Sequence, residues 1–411
     1  MANHTFIQNN DKVYCFGNNH YGQLGLGHNI DQNTPQLLNL NEQVNQIAYG
    51  YNYTVILTKS NHLYVVGANT YGQLGLGHDE YQNIPQLLKL NKSETGNDGL
   101  ACQPIGQIVC GMHHTVILTE SNDVYVFGSN GSGELGLGHY KDQNIPQLLK
   151  IDQSVRQIAC GGYHTMILTE SNQIYAFGLN QYGQLGLGYN EDKKIPHLLK
   201  FDKPVSQVCC GGQHTVILTE SNNVYVFGYN VIGQLGLGHN KNQYSPQLLK
   251  LEQPISQIAC GEHHTVILTE SGNVYVFGLN REGQLGLGHY LNQNIPQLLK
   301  LDQCVSQIAC GIYHTMVLTE SSDVYGFGNN ESGQLGLGHN KNQNIPALLP
   351  IKCTALMNNI LPTFWTPKNH QRFSHEFRCQ VLMLMLINKY FIRPDLKVPK
   401  FVCYEIIKKL N

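Results

Sequence analysis

The chain has 411 residues, 41% of them hydrophobic and 13% charged, with a formal net charge of −2. That length admits two or three average domains or one large closed β fold, and the apolar share is enough for a sizeable core. The balance excludes a strongly basic nucleic-acid binder, and the longest apolar run, Val381 to Ile387, is far short of the roughly 20 residues that cross a bilayer.

Twelve cysteines would signal disulfides in a short secreted chain. The opening MANHTFIQNNDKVY, however, has no basic start followed by an apolar run. Free thiols in a reducing compartment, cytoplasm or nucleus, are therefore expected.

The first element in chain order is HTFIQNNDKVYCFG, which starts at His4 partway through a recurring unit. The string GQLG (once GELG) begins at Gly22, Gly72, Gly133, Gly183, Gly233, Gly283 and Gly333, in steps of 50 residues with a single step of 61. The long step comes from one insert, NKSETGNDGLACQPIG, at Asn91 to Gly106. Seven copies of the unit fill residues 3 to about 352. A central copy reads SQIACG, HTVILT, NVYVFG and PQLLKL, four short pieces rich in Val, Ile, Tyr and Thr with turn residues between them. No sustained helical period interrupts these pieces. Four strands per copy and seven copies predict an all-β fold over residues 1–352, a seven-bladed β-propeller of four-stranded blades. A solenoid would need atypical capping repeats instead.

The two ends of the repeat complement each other. The first copy begins without an IACG piece, and the last stops at PALLPIK before one. A ring closed by a blade shared between the ends is expected, because closure removes open sheet edges. His4 to Phe16 are expected to pair with the segment around Pro346 to Ile351, and Cys353 to Leu361 to supply the missing first strand.

Between the first two pieces the recurring motif is CGxxHT. Cys110, Cys160, Cys210, Cys260 and Cys310 each end a strand of small residues, as buried thiols behaving like small hydrophobes. The next Gly permits a tight turn. His114, His164, His214, His264 and His314 open the following strand, where a ring nitrogen can bond a neighbouring backbone group. Cys and His are also zinc ligands. Against that, the constellation recurs five times around a ring, so no four ligands converge, and the first complete copy carries Tyr49 and Tyr53 in these places. No metal and no cofactor are expected. No catalytic Ser, Cys or carboxylate pair stands out once, and the GxGxxG phosphate spacing is absent.

Strand parity places the letters that do vary. If the first strand of a blade runs upward, CGxxHT turns at the upper face, and so does the GxNxxGQLGLG loop after the third strand. The insert then falls on the opposite face. One varying set is Tyr51-Asn52, Met112-His113, Gly162-Tyr163, Gly212-Gln213, Glu262-His263 and Ile312-Tyr313; the other includes Tyr21, Tyr71, Tyr182 and Arg281. Aromatic, His and charged residues on loops held by a rigid scaffold are the usual material of protein-binding hot spots. Glu262 and His263 are expected to be exposed there.

With GxNxxGQLGLG and CGxxHT both in view, residues 3 to about 352 resemble the regulator of chromosome condensation family. The resemblance implies a seven-bladed propeller whose founding activity is guanine-nucleotide exchange on the Ran small GTPase, while many relatives are interaction modules. In the exchange factor, residues that matter sit in the varying pair of GxxHT. Carried across by motif, the candidates are His113, Tyr163, Gln213, Glu262, His263 and Tyr313, with Asn52 in the equivalent place of the first complete copy. The exchange factor inserts a wedge in one upper loop. Here all seven loops run 13 residues from the first Gly of GQLG to Pro.

After Ile351 the pattern changes. SHEFRCQVLMLMLINKYF predicts a helix capped by Ser374, and KFVCYEIIKKL a second one after Pro394 and Pro399, making residues 353–411 a small helical extension. Residues 361–411 hold nine Lys or Arg against three Asp or Glu, which leaves an acidic propeller unsuited to phosphate binding. VPKFVCYEIIKKL also resembles the core of an F-box, which implies a Skp-type adaptor of a cullin ubiquitin ligase as a partner. Two function classes follow: a GTPase-directed propeller, and a scaffold or substrate receptor.

Overall fold

The computed structural model describes residues 2–90 and 103–357. The helices expected after Ser374, the F-box-like segment and most of the insert lie outside the described residues. Among those described, no helix is long and apolar enough to cross a membrane.

HTVILT at His264–Thr269 is buried at every position. A continuous β-branched run suits a strand covered on both faces. It is the second strand of a four-stranded antiparallel sheet ordered Ile255–Cys260, His264–Thr269, Val274–Gly278 and Gln293–Leu298. Cys260 lies opposite Thr265, and His264 opposite Gly278. The outer strand carries Pro296, which has no N–H to lose at an edge, and leaves Ile295 and Leu298 half exposed. The described residues form seven such sheets.

The seven innermost strands are Val44–Tyr49, Ile105–Cys110, Val155–Cys160, Val205–Cys210, Ile255–Cys260, Val305–Cys310 and Ala355–Met357. Each touches the next, and the last touches both Val305–Cys310 and Val44–Tyr49, so the ring is closed. Blades are numbered here from the closing one: blade 1 holds Ala355–Met357, His4–Asn9, Lys12–Gly17 and Gln32–Leu37 in that order, and blades 2 to 7 follow in chain order. The core lies between blades. Between blades 6 and 7, for example, Val266, Leu268, Val276 and Leu285 pack on Ile308, Val317 and Phe327, all buried. Each such side chain contributes about 1.5–3 kcal/mol by leaving water.

A side-chain ladder stitches the inner strands. Gln157 Nε2 donates to the Val208 carbonyl at 2.7 Å while its Oε1 accepts from the Val208 N–H at 3.0 Å. Gln107 does the same with Ile158, both at 3.0 Å.

Closure differs in one respect from the expected pairing. Pro346 lies in Gln343–Leu348, the outer strand of blade 7, which pairs with Val324–Gly328 and not with His4 to Phe16. The N-terminal segment already holds three strands of blade 1 and needs only an inner one. Ala355–Met357 supplies it, with Phe6 opposite Met357 and Gln8 opposite Ala355. The propeller thus runs past residue 352, within the stretch expected to provide the missing strand.

Candidate functional site

The upper face rests on a ring of side chains that explains the recurring letters. Thr265 Oγ1 donates its one proton to the Gln234 carbonyl of the preceding blade at 2.8 Å. It must therefore accept from His214 Nε2, 3.0 Å away. The same His-to-Thr bridge joins His4 to Thr54, His114 to Thr165, His164 to Thr215, His264 to Thr315 and His314 to Thr5, at 3.0–3.1 Å. In blade 2 Tyr53 takes the histidine place; its hydroxyl lies 3.1 Å from Thr115 Oγ1 and donates to the His114 carbonyl at 2.6 Å. The expected backbone partner of the histidines is thus a threonine hydroxyl on the next blade.

Each histidine in this ring is the neutral Nε2–H form, with a buried, unpartnered Nδ1. Burial pushes His4, His114, His164, His264 and His314 down to about 3, and His214 well below the ordinary range. The glycine before the varying pair makes room for the ring. A Cβ on Gly261 would stand 2.0 Å from His264 Cε1. Close approach, not turning of the chain, requires glycine there.

The varying pair is held by its backbone. Tyr51 N–H donates to the Met112 carbonyl, Met112 to Gly162, Gly162 to Gly212, Gly212 to Glu262, Glu262 to Ile312, and Ile312 to Ala2, at 3.0–3.3 Å. The second member is tied to the other loop set: the N–H groups of Ser129, Leu179, Tyr229, Leu279 and Asn329 donate to the carbonyls of His113, Tyr163, Gln213, His263 and Tyr313, each at 2.8 Å. Both varying sets therefore share one face. The outer loops are internally zipped; in blade 6, Asn280 Oδ1 accepts from the Leu285 N–H at 2.9 Å and its Nδ2 donates to the His289 carbonyl at 2.8 Å.

Asn52, His113, Tyr163, Gln213, Glu262, His263 and Tyr313 all lie on the axial rim, half-buried. For Glu262 and His263 this corrects the expected exposure: their side chains are 16% and 19% exposed. The cause is the tight inner ring, where blades crowd. Tyr71, Tyr51 and Tyr163 all pack on His113, with ring centroids 4.9, 5.9 and 6.4 Å away. A second arc joins Tyr182 to Tyr229 at 4.9 Å and Tyr229 to His263 at 5.6 Å. Glu262 Oε1 is 3.8 Å from His263 Nε2. Asn52 Oδ1 accepts from Gln23 Nε2 at 3.4 Å. Tyr21 packs on Tyr81 instead of joining the rim, and Arg281 stands exposed on its loop.

Burial lowers His113 and His263, which keeps both rings neutral, and raises the Glu262 carboxyl. Burial, then the Glu262 charge, raises the Tyr163 hydroxyl and pushes Tyr313 up to about 12. Sequence reasoning placed Tyr51 in the varying set but missed Tyr229 and Glu134 as site residues. Glu134 is the single carboxylate in the seven GQLG places; it is fully buried and accepts from Ser129 Oγ at 2.7 Å and the Ser132 N–H at 2.8 Å. Its signal was the lone GELG. Among the described residues, no group of three His, Cys, Asp or Glu is placed to hold a metal.

Comparison with known proteins agrees with this architecture. The regulator of chromosome condensation (RCC1) repeat matches residues 10–57 and 44–73. The probable E3 ubiquitin-protein ligase HERC4 of Homo sapiens is 36% identical over 128 residues, 30% of this chain and 11% of that protein. The X-linked retinitis pigmentosa GTPase regulator of Homo sapiens is 37% identical over 151 residues, 36% of this chain and 14% of that protein. The chain thus spans only a small part of these curated relatives. Prp20p of Saccharomyces cerevisiae, whose structure was described with its binding to Gsp1p and histones, superposes with a TM-score of 0.73 over 84% of this chain and 88% of that one, at 22% identity, which shows the shared fold. The RCC1-like domain family matches residues 88–361, more than half of the length, and on a closed ring of seven such blades the chain belongs to that family.

Proposed function

We propose that the protein is an interaction propeller acting on a small GTPase through its upper face, with guanine-nucleotide exchange on Ran as the activity it carries. The observation behind this reading is the face itself: seven half-buried polar and aromatic rim residues on a frame bridged blade to blade. Exchange needs no acid, base or nucleophile. A protein that binds the nucleotide-free GTPase more tightly than the loaded form weakens nucleotide binding by the same factor. Similarity to a GTPase regulator supports the reading.

The test is release of a fluorescent guanine nucleotide from Ran. Wild-type protein at micromolar concentration should accelerate release. Replacing Glu262 and His263 together by Ala should remove most of that effect, since truncation at a hot spot loses 2 kcal/mol or more, roughly thirtyfold in affinity. An unchanged release rate with wild-type protein refutes exchange. The scaffold reading, with the tail recruiting a Skp-type adaptor, is favoured by similarity to a ubiquitin ligase. Affinity capture from eukaryotic lysate separates the two readings, because one recovers Ran and the other a cullin adaptor.

A further inference from the structure

We propose that Cys209 and Cys260 are a redox-active thiol pair, which closes into a disulfide between the inner strands of blades 5 and 6 when a hydroperoxide is present.

Gln207, Cys209 and Gly211 are alternate positions at the end of the blade 5 inner strand, so all three point to one side. Distances on both flanks show that this side is blade 6. Gln207 Nε2 donates to the Ile258 carbonyl and its Oε1 accepts from the Ile258 N–H, both at 3.3 Å. A Cβ on Gly211 would stand 2.7 Å from the Gly261 carbonyl. One residue further, the Gly212 N–H donates to the Glu262 carbonyl at 3.0 Å. The register rises together along both strands, so Cys209, two residues beyond Gln207, stands opposite Cys260, two beyond Ile258. The two cysteines share one packed cluster with Ile258 and Ile267. A disulfide needs Cα atoms roughly 4.4–6.8 Å apart, a separation consistent with the contacts on either side of the pair.

Among the described junctions, blade 5 alone sets a thiol against the recurring cysteine of the next blade. At the others Val109 packs with Cys160, Ala159 with Cys210 and Ala259 with Cys310. Cys210 is no rival for Cys260, because consecutive strand residues face opposite sides and its thiol packs toward blade 4.

Cys209 is half-buried while Cys260 is buried, so a small oxidant reaches Cys209 first. Burial, and next the Cys209 thiol, push the Cys260 thiol up, which keeps its proton on until the second step. In the first step the Cys209 sulfur attacks one oxygen of hydrogen peroxide. The O–O bond breaks, the thiol proton leaves with the departing oxygen as water, and Cys209 becomes a sulfenic acid. In the second the Cys260 sulfur attacks the Cys209 sulfur, the S–O bond breaks, and a second water carries off the Cys260 proton. Two thiols lose two electrons and one peroxide gains them. The new bond staples two blades beneath Gly212 and Glu262, adjacent links of the inner ring that carries the varying pairs.

The experiment treats the reduced full chain with hydrogen peroxide, caps the remaining thiols with N-ethylmaleimide, digests without reductant and reads linked peptides by mass spectrometry. The peptide containing Cys260 should be joined to the one containing Cys209, the chain should keep monomer mobility on a non-reducing denaturing gel, and dithiothreitol should separate the peptides. Oxidation should also raise the thermal midpoint of the wild type, because a cross-link restricts the unfolded chain. Cys209→Ala installs the residue that Ala48, Ala159, Ala259 and Ala309 supply in other blades. It should fold and lose both the linkage and the rise, whereas Cys210→Ala should keep the linkage. Cys260 recovered only as its maleimide adduct, a linkage that persists in Cys209→Ala or forms only between chains, or a wild-type midpoint that the linkage leaves unmoved would each overturn the proposal.

Discussion

Lowering the pH from 7.5 to 5 should unfold the propeller, and the histidine ring determines how steeply. Six histidines are neutral and buried in the folded chain, each bonded to a threonine of the next blade. Unfolded, each binds a proton near its ordinary 6.5. Below that pH the unfolded state holds more protons, so stability falls as acid is added, and the loss continues toward about 3. At pH 5 each histidine costs about 2 kcal/mol, from about 1.4 kcal/mol per pH unit over about 1.5 units. The six together cost about 12 kcal/mol, comparable with the 5–15 kcal/mol that holds a typical domain folded. The raised carboxyls of Glu134 and Glu262 act oppositely: they favour the folded state in acid and lose that contribution as pH rises through their folded values. They are two against six.

Urea midpoints measured from pH 7.5 to 5 give the proton uptake on unfolding from the slope, and about six protons are expected near pH 5 from this ring. A single substitution isolates the cause. Tyr53 already occupies the place in blade 2 with its hydroxyl satisfied, so His264→Tyr should stay folded and reduce the uptake by one proton. Uptake below about two protons, or an unchanged slope in His264→Tyr, would refute the reasoning.

Gly261→Ala should destabilise by about 3 kcal/mol, because its Cβ would stand 2.0 Å from His264 Cε1 and the ring would leave its threonine; the loss is read by thermal or urea unfolding. Leu356→Ala in the closing strand, 4% exposed, should cost about 2–5 kcal/mol and lower the midpoint of the whole ring. Gln157→Ala removes both a donor and an acceptor from the Val208 backbone and should cost about 1–3 kcal/mol, whereas Gln147→Ala on an outer strand should change little.

The strands and their sevenfold repetition were legible because the unit recurs almost unaltered every 50 residues. Face assignment was legible too, since parity along four antiparallel strands puts CGxxHT and the GQLG loop at one end. The closing partner was harder. Ala355–Met357 does the work of an inner strand without the IACG signature, so neither its bounds nor its pairing with Phe6 could be read by repetition. The roles of Gly261 and Thr265 were not legible for another reason. Thr265 depends on a contact between blades, with His214, and Gly261 on the His264 ring folding back over its own turn and on the Gly311 carbonyl of the next blade, and a sequence period reveals none of these distances. The same holds for burial at the rim, which comes from crowding near the axis and not from any local pattern.

The geometry also explains why Gly, His and Thr recur while the pair between them drifts. His and Thr use their side chains to bridge blades, and Gly uses its lack of one. What every copy of the pair contributes is backbone: the first residue donates and accepts along the inner ring, and the second offers its carbonyl to the neighbouring loop. Any residue but proline can supply the first set of bonds, so Gly212, Glu262 and Ile312 serve equally as links in one ring. Side chains at the rim are thereby released from making these ring bonds. Repeats with identical frames can thus carry different chemistry at each blade, such as an imidazole at His113, a phenol at Tyr163 and a carboxylate at Glu262. A partner meeting this face encounters a nonrepeating surface on a repeating support, and any specificity must reside in those rim side chains and the outer loops beside them.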